Sequence, residues 1–255
     1  MASVTSGESQ REPVAVDPPT EEARRLWQKL GELAVEFGAE HDWCLVGGLM
    51  VQLHAYEHGA QSRPTTDIDI LGDARQRPSM TERLARILKE LGGDLRVPPS
   101  TDAKVGYQFD VEGETVEVLG PEGLRSHPRT LGSFETIMVN GGTQALKRTE
   151  SVSVSIAGAE PVTVCRPTLL GAILIKARAV TSVRDKLAEH REDLIRLLTL
   201  VHDPRALAEG GALTSAERKW LRAVESALAF DDPALLELYS PDQVERARQA
   251  FALLS

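Results

Sequence analysis

Asp67 and Asp69 alternate with Ile68 and Ile70 in the run Thr66-Asp67-Ile68-Asp69-Ile70-Leu71, and eighteen residues upstream the apolar run Leu45-Val46 ends in the pair Gly47-Gly48. In a β-strand, residues i and i+2 point to one face, so the aspartates project together, roughly 6–7 Å apart, while the isoleucines enter a core. Two neighbouring carboxylates repel each other, and keeping both ionised beside buried isoleucines is costly unless a cation joins them. A hard divalent ion such as Mg²⁺ takes one or two carboxylates plus substrate phosphates. The glycine pair permits close backbone approach and leaves free N–H groups at a helix start, as a phosphate requires. Together the two stretches imply a metal-assisted nucleotide site.

The elements that must position these residues follow from local patterns. Residues 1–19, rich in Ser, Glu and Pro, read as a disordered tail. Thr20 caps a helix running to about residue 39, with Leu26, Trp27, Leu30, Leu33, Ala34 and Phe37 on one stripe. A strand is expected over 43–46, a helix from Gly48 to near Gly59, and the aspartate strand over 67–71. Ser79 and Glu82 have the spacing of a capping box ahead of a helix that ends at Gly92-Gly93. Alternation over 107–119 around a Glu-Gly turn reads as a hairpin, and further strands are expected near 136–139, 151–156 and 162–165. From Pro167 the pattern becomes helical, with a helix over 187–201 and two more toward the C-terminus. The expected organisation is a tail (1–19), a mixed α+β catalytic domain (20–166) and a helical C-terminal domain (167–255).

Composition narrows the class. Apolar content of 42% and charged content of 26% are ordinary for a soluble globular chain, and 4% aromatics leave the core to Leu, Val, Ile and Ala. A net charge of −9 argues against a generic nucleic-acid coat. The basic stretches at 125–129 and at Lys147-Arg148 lack the neighbouring aromatics of a nucleic-acid track. Cys44 and Cys165 lie in apolar runs and read as buried reduced thiols. No signal-like segment opens the chain and no apolar run approaches ~20 residues, so a cytoplasmic protein with no membrane partner is expected.

The string Leu45-Val46-Gly47-Gly48, followed by Arg63-Pro64-Thr65-Thr66-Asp67-Ile68-Asp69-Ile70-Leu71, resembles the nucleotidyltransferases of the DNA polymerase β superfamily. More narrowly, it resembles the AbiEii-type toxins of bacterial toxin–antitoxin and phage-defence systems. The resemblance implies an α+β, polymerase β-like domain with a mixed sheet and a helical C-terminal half that completes the nucleotide site. It implies transfer of a nucleoside monophosphate from an NTP to an acceptor hydroxyl, with tRNA among the acceptors and a cognate antitoxin as partner. Asp67 and Asp69 then bind Mg²⁺ (or Mn²⁺), and Gly47 and Gly48 hold the nucleotide's phosphates. The second glycine stands where the family usually has Ser, which removes a hydroxyl contact to phosphate.

The same resemblance implies a third carboxylate on a neighbouring strand. Glu117 matches it in Val116-Glu117-Val118-Leu119, facing away from its valine neighbours to bind metal and take a proton from the attacking hydroxyl. Asp110 and Glu114 are the competing carboxylates of that hairpin. Lys176, in a Leu-Leu-x-x-x-Leu-x-Lys helix, is implied to reach the triphosphate; the other account is a lysine that snorkels from an apolar stripe. Asp193 matches the last aspartate of the family's Lys-Asp-x-x-Asp-Leu stretch and is implied to orient Lys176 or to act near the nucleophile, while His190 stands where an Asp is expected. The alternative for Asp193 is a solvated residue paired with Lys186 or Arg196. Arg63 either contacts phosphate or fixes its loop.

Two other classes stay open. One is a non-catalytic nucleotide- or partner-binding module. The other is a zinc peptidase, because His54-Ala55-Tyr56-Glu57-His58 fits H-x-x-E-H, with the histidines as ligands and Glu57 as general base. Against it, the helix stops at Gly59 immediately after the second histidine, and two surface helix histidines are the better account of a five-residue pattern.

Overall fold

Strands with Leu, Val, Ile and Phe at alternate positions build the sheet that carries the aspartates, as seen in a computed structural model that describes residues 12–97, 104–182, 186–210 and 213–255. In chain order the first half comprises β1 (Val14–Val16), α1 (Glu21–Phe37), β2 (Trp43–Val46), α2 (Gly47–Glu57), β3 (Asp67–Gly72), α3 (Met80–Glu90), β4 (Asp94–Arg96), β5 (Gln108–Val111) and β6 (Glu114–Pro121). There follow β7 (Met138–Val139), α4 (Gly142–Lys147), β8 (Thr149–Ile156) and β9 (Val162–Pro167). The remainder is helical: α5 (Leu169–Ser182), α6 (Leu187–Thr199), α7 (Pro204–Gly210), α8 (Ser215–Ala223), α9 (Glu225–Leu228), α10 (Pro233–Leu238) and α11 (Pro241–Leu254). The fold is thus α+β with a mixed sheet and a helical C-terminal half, as expected.

The larger sheet has the order β2-β3-β6-β5-β4, with β7 beside the end of β6. Strand β3 runs antiparallel to β2 and parallel to β6, and β5 and β6 form the antiparallel hairpin read from the sequence. A second, smaller sheet, β1-β8-β9, packs against it through β9 and β2. Ile68, Ile70, Val116 and Val118 are all fully buried, which turns the intervening Asp67, Asp69 and Glu117 to the opposite face.

Local chemistry explains where the helices begin and end. The Thr20 hydroxyl accepts the Ala23 N–H at 3.1 Å to start α1, and Gly38, at φ 82°, stops it. The expected stripe of α1 is buried in full, from Leu26 to Phe37. Helix α2 is apolar nearly all round, with Leu49, Met50, Val51, Leu53 and Ala55 buried, and so runs through the interior. It touches β1, β2, β3, α5 and α6. One continuous apolar core extends from Val16 to Leu254 across the expected boundary at 166/167, which marks the change from strands to helices.

The structure departs from the sequence reading in several places, among them the unforeseen β4 and α4. Residues 1–11 of the expected tail lie outside the described residues, but Val14–Val16 forms β1, pairing in parallel with β8 and burying Val16 to 1% exposure. Three residues between prolines carry no periodic signal; the partner strand supplies the hydrogen bonds, and burying Val16 contributes roughly 1.5–3 kcal/mol. The capping box at Ser79 does not form: its φ and ψ of −90° and 9° are not those of an extended cap, and its side chain makes no cap hydrogen bond. Capping boxes form instead at Thr214–Glu217 and Ser240–Gln243. Among the described residues five helices follow α6, rather than two. Finally, the strand expected near 136–139 is reduced to the two residues of β7. No helix among the described residues is long and apolar enough to cross a membrane.

Candidate active site

Register brings the acidic residues together. Asp69 lies opposite Glu117 on β6 and Val46 on β2, so the row Val46, Asp69, Glu117, Gln108 crosses four strands on one face. Asp67 joins them from two positions up β3. Oxygens of Asp67, Asp69 and Glu117 all lie within 4.8 Å of one another. Among the described residues this is the one group of His, Cys, Asp or Glu side chains close enough to share a metal ion.

Asp67 and Glu117 are each oriented by a neighbour. The Thr65 hydroxyl donates to Asp67 Oδ1 at 2.7 Å, and the Gln108 amide donates to Glu117 Oε1 at 2.7 Å. Lys186 Nζ approaches Asp67 Oδ2 at 3.4 Å. Burial raises the Asp69 carboxyl well above the usual carboxylate range, and the charges of Asp67 and Glu117 add to the effect against the opposing pull of Lys176. A doubly charged cation at the cluster would offset that crowding of negative charge. Tyr107 lies alongside, its phenol raised by burial and by the charge of Glu117.

The glycine pair is packed against the aspartates. Gly47 has φ 68°, and a Cβ there would lie 1.7 Å from Asp69 Oδ2; a Cβ on Gly48 would lie 2.6 Å from Thr65 Oγ1. No side chain caps α2 at this end, which leaves its first N–H groups beside the acidic cluster without a side-chain acceptor. The helix start and the carboxylate cluster thus lie directly against each other.

A second group of charges lies beneath. Asp193 on α6 is 1% exposed and Lys176 on α5 is 4% exposed. Lys176 Nζ donates to Asp193 Oδ2 at 2.7 Å. The Arg63 guanidinium grips the same carboxylate with two bonds, Nε to Oδ1 at 2.9 Å and Nη2 to Oδ2 at 3.1 Å. Arg63 Nη1 is held by Glu189 at 3.1 Å and by the Pro64 carbonyl at 3.1 Å. These contacts tie the loop ahead of β3 to α6. Asp193 is neither solvated nor paired with Lys186 or Arg196, and Lys176 does not snorkel. Lys176 and Asp193 are thus paired with each other in the interior.

The H-x-x-E-H segment is built differently from a zinc site. His54 is buried, not on a helix surface, and its Nε2 hydrogen-bonds to the Pro167 carbonyl at 3.0 Å. Burial holds that imidazole far below its ordinary pKa, hence neutral. His58 Nδ1 bonds back to the His54 carbonyl at 2.9 Å and its ring stacks on His202. Glu57 pairs with the buried Arg166 guanidinium, which also holds Glu150 at 3.2 Å. The general base of the zinc reading is thus an ion-pair partner that ties α2 to the smaller sheet. Asp110 and Glu114 are likewise taken up, by Arg96 and Arg25.

Thr65, Tyr107 and Gln108 are the site residues that the sequence reading did not single out. Thr65 carried a signal, standing two positions before Asp67. Gln108 could be found only by knowing that it faces Glu117 across the hairpin. No protein-family model matches this chain, and no curated protein sequence matches it. Among solved structures, the antibiotic-resistance factor ANT(2'')-Ia in solution is 18% identical, with a TM-score of 0.45, over 80% of this chain and 94% of that one. ANT(2'')-Ia in complex with adenylyl-2''-tobramycin gives 18% identity and a TM-score of 0.44 over 77% and 97%. An antigenic nucleotidyltransferase-like protein from Paracoccidioides brasiliensis gives 14% and 0.45 over 90% and 93%.

Proposed function

We propose that this protein is a divalent-metal-dependent nucleotidyltransferase that moves a nucleoside monophosphate from an NTP to an acceptor hydroxyl. The observation that carries the proposal is the convergence of Asp67, Asp69 and Glu117 beside the uncapped Gly47-Gly48 start of α2. The donor set fits Mg²⁺ or Mn²⁺: it is all carboxylate oxygen, and a doubly charged cation would offset the burial and like charges that push the Asp69 carboxyl up. Asp67, Asp69 and Glu117 would hold the metal. Bound there, the ion supplies charge neutralisation on the phosphates and alignment of the entering and leaving oxygens of an in-line displacement.

The chain's own groups do the rest. The N–H groups at the start of α2 receive phosphate oxygens, helped by the positive end of the helix dipole. Glu117, fixed by Gln108, accepts the proton of the acceptor hydroxyl as its oxygen bonds to the α-phosphorus and pyrophosphate leaves. Lys176, held by Asp193, adds positive potential behind the phosphates. In this reading residues 20–166 form the catalytic domain and 167–255 complete the site through α5 and α6. The narrower proposal, supported by the resemblance of the segments at 45–48 and 63–71, is an AbiEii-type toxin acting in the cytoplasm, with tRNA as a candidate acceptor and a cognate antitoxin as partner.

The test is transfer of label from each of the four α-³²P nucleoside triphosphates with Mg²⁺, offering bacterial RNA, lysate protein and small-molecule fractions as acceptors. Labelled product or released pyrophosphate that disappears in Asp69→Ala is the expected result. Nucleotide binding without transfer to any pool favours the non-catalytic binding module. Absence of nucleotide binding overturns the proposal.

A further inference from the structure

Helix α6 turns Lys186, His190 and Asp193 toward the site at positions i, i+4 and i+7, with Lys186 as its N-cap residue. The two outer residues are engaged. Lys186 reaches Asp67, and Asp193 holds Lys176 and Arg63. His190 lies between them, and its Nδ1 is buried with no hydrogen-bond partner. A buried ring nitrogen left unpaired costs free energy, and one facing charged neighbours calls for a ligand atom.

We propose, on the reading of this site as a nucleotide site, that His190 contacts the phosphates of the bound nucleotide. In doing so it takes one proton from solvent and donates a hydrogen bond to a phosphate oxygen. The groups that face it explain why a proton moves. Burial, and then the positive charge of Lys176 on α5, of Arg63 ahead of β3 and of Lys186, outweigh Asp193 and hold the free imidazole at about 4. Glu189, on the same turn, is turned to Arg63. At pH 6 only about one ring in a hundred is then protonated. A polyphosphate reverses the local field. If the pKa merely returns to its ordinary value of 6.5, about three-quarters of the rings carry a proton at pH 6.

The experiment is calorimetric titration of the full chain, in saturating Mg²⁺, with α,β-methylene NTPs at pH 6. Two buffers of different ionisation enthalpy are used, and the dependence of the observed heat on the buffer gives the protons taken up per nucleotide. Saturating the metal beforehand keeps any titration of Asp69 out of the difference. The expected result is uptake of about three-quarters of a proton by the wild type, lost in His190→Asn and His190→Gln. A wild-type Kd that tightens as pH falls from 7.5 to 5.5, flattened in both variants, is expected with it. Thermal melts check that each variant folds, and the wild-type buffer dependence stands without them. No uptake by the wild type, or equal uptake in a folded variant, overturns the role of His190 and leaves the nucleotide site intact. Failure of any nucleotide to bind overturns both.

Discussion

Asp193→Asn puts the charge cluster under the site to its severest test. In the wild type one carboxylate, 1% exposed, receives one hydrogen bond from Lys176 at 2.7 Å and two from Arg63 at 2.9 and 3.1 Å. The isosteric amide keeps the volume but removes the only negative charge shared by the two cations, and it turns an NH₂ toward one of them. Removing one partner of a buried ion pair costs about 3–5 kcal/mol, because the remaining charge is left in a poorly solvating interior. At about 2–4 °C of melting temperature per kcal/mol for a chain of this size, the melting point falls by about 6–20 °C. Lys176→Met behaves differently. It leaves Asp193 with its two-pronged Arg63 partner and places an apolar side chain in a buried slot, so its cost is about 1–2 kcal/mol. Urea unfolding followed by circular dichroism, with thermal melts of the same variants, measures both. If Asp193→Asn lies within about 1 kcal/mol of wild type, or Lys176→Met costs as much, the carboxylate is not the hub of this cluster.

Gly47→Ala places a Cβ 1.7 Å from Asp69 Oδ2 at a residue with φ 68°; the variant is expected to lose about 1–3 kcal/mol of stability to backbone strain. Because Asp69 must also move, label transfer should fall at least about 100-fold, and near-normal transfer would show that the glycine does not shape the site. Without divalent metal, the raised Asp69 carboxyl contributes stability below the ordinary carboxylate range that is lost as pH rises through its folded value. Asp69→Asn should therefore melt higher than wild type at pH 7 in EDTA and flatten the fall in stability between pH 4 and 8, while Mg²⁺ stabilises only the wild type. An Asp69→Asn melting point below that of wild type in EDTA counts against the crowded-carboxylate argument. Burial pushes the Cys44 thiol up, so its alkylation by iodoacetamide at pH 8 should wait for unfolding; rapid modification of the native protein at Cys44 contradicts its burial.

What the sequence by itself determined are features whose physics is local. The shared face of Asp67 and Asp69 follows from the two-residue period of a strand, and the isoleucines between them mark the buried side. The Thr20 cap, the apolar stripe of α1 and the glycine end of β2 depend on residues within a turn or two of each other. Local reading failed where a partner distant in the chain decides the outcome. Ser79 has the spacing of a capping box yet does not cap, because spacing says nothing of the φ and ψ that the chain adopts there. Val14–Val16 is a strand only because β8 lies beside it. His54 looks like one half of a metal pair, but α2 passes through the core and turns that ring to the Pro167 carbonyl, 113 positions away. Tertiary structure also decided the register that sets Glu117 against Asp69 and Gln108 against Glu117, since a one-residue slip would have sent those side chains to the opposite face. The grip of Arg63 on Asp193 spans 130 positions. Only folding the helical half onto the sheet could bring those charges into one buried cluster.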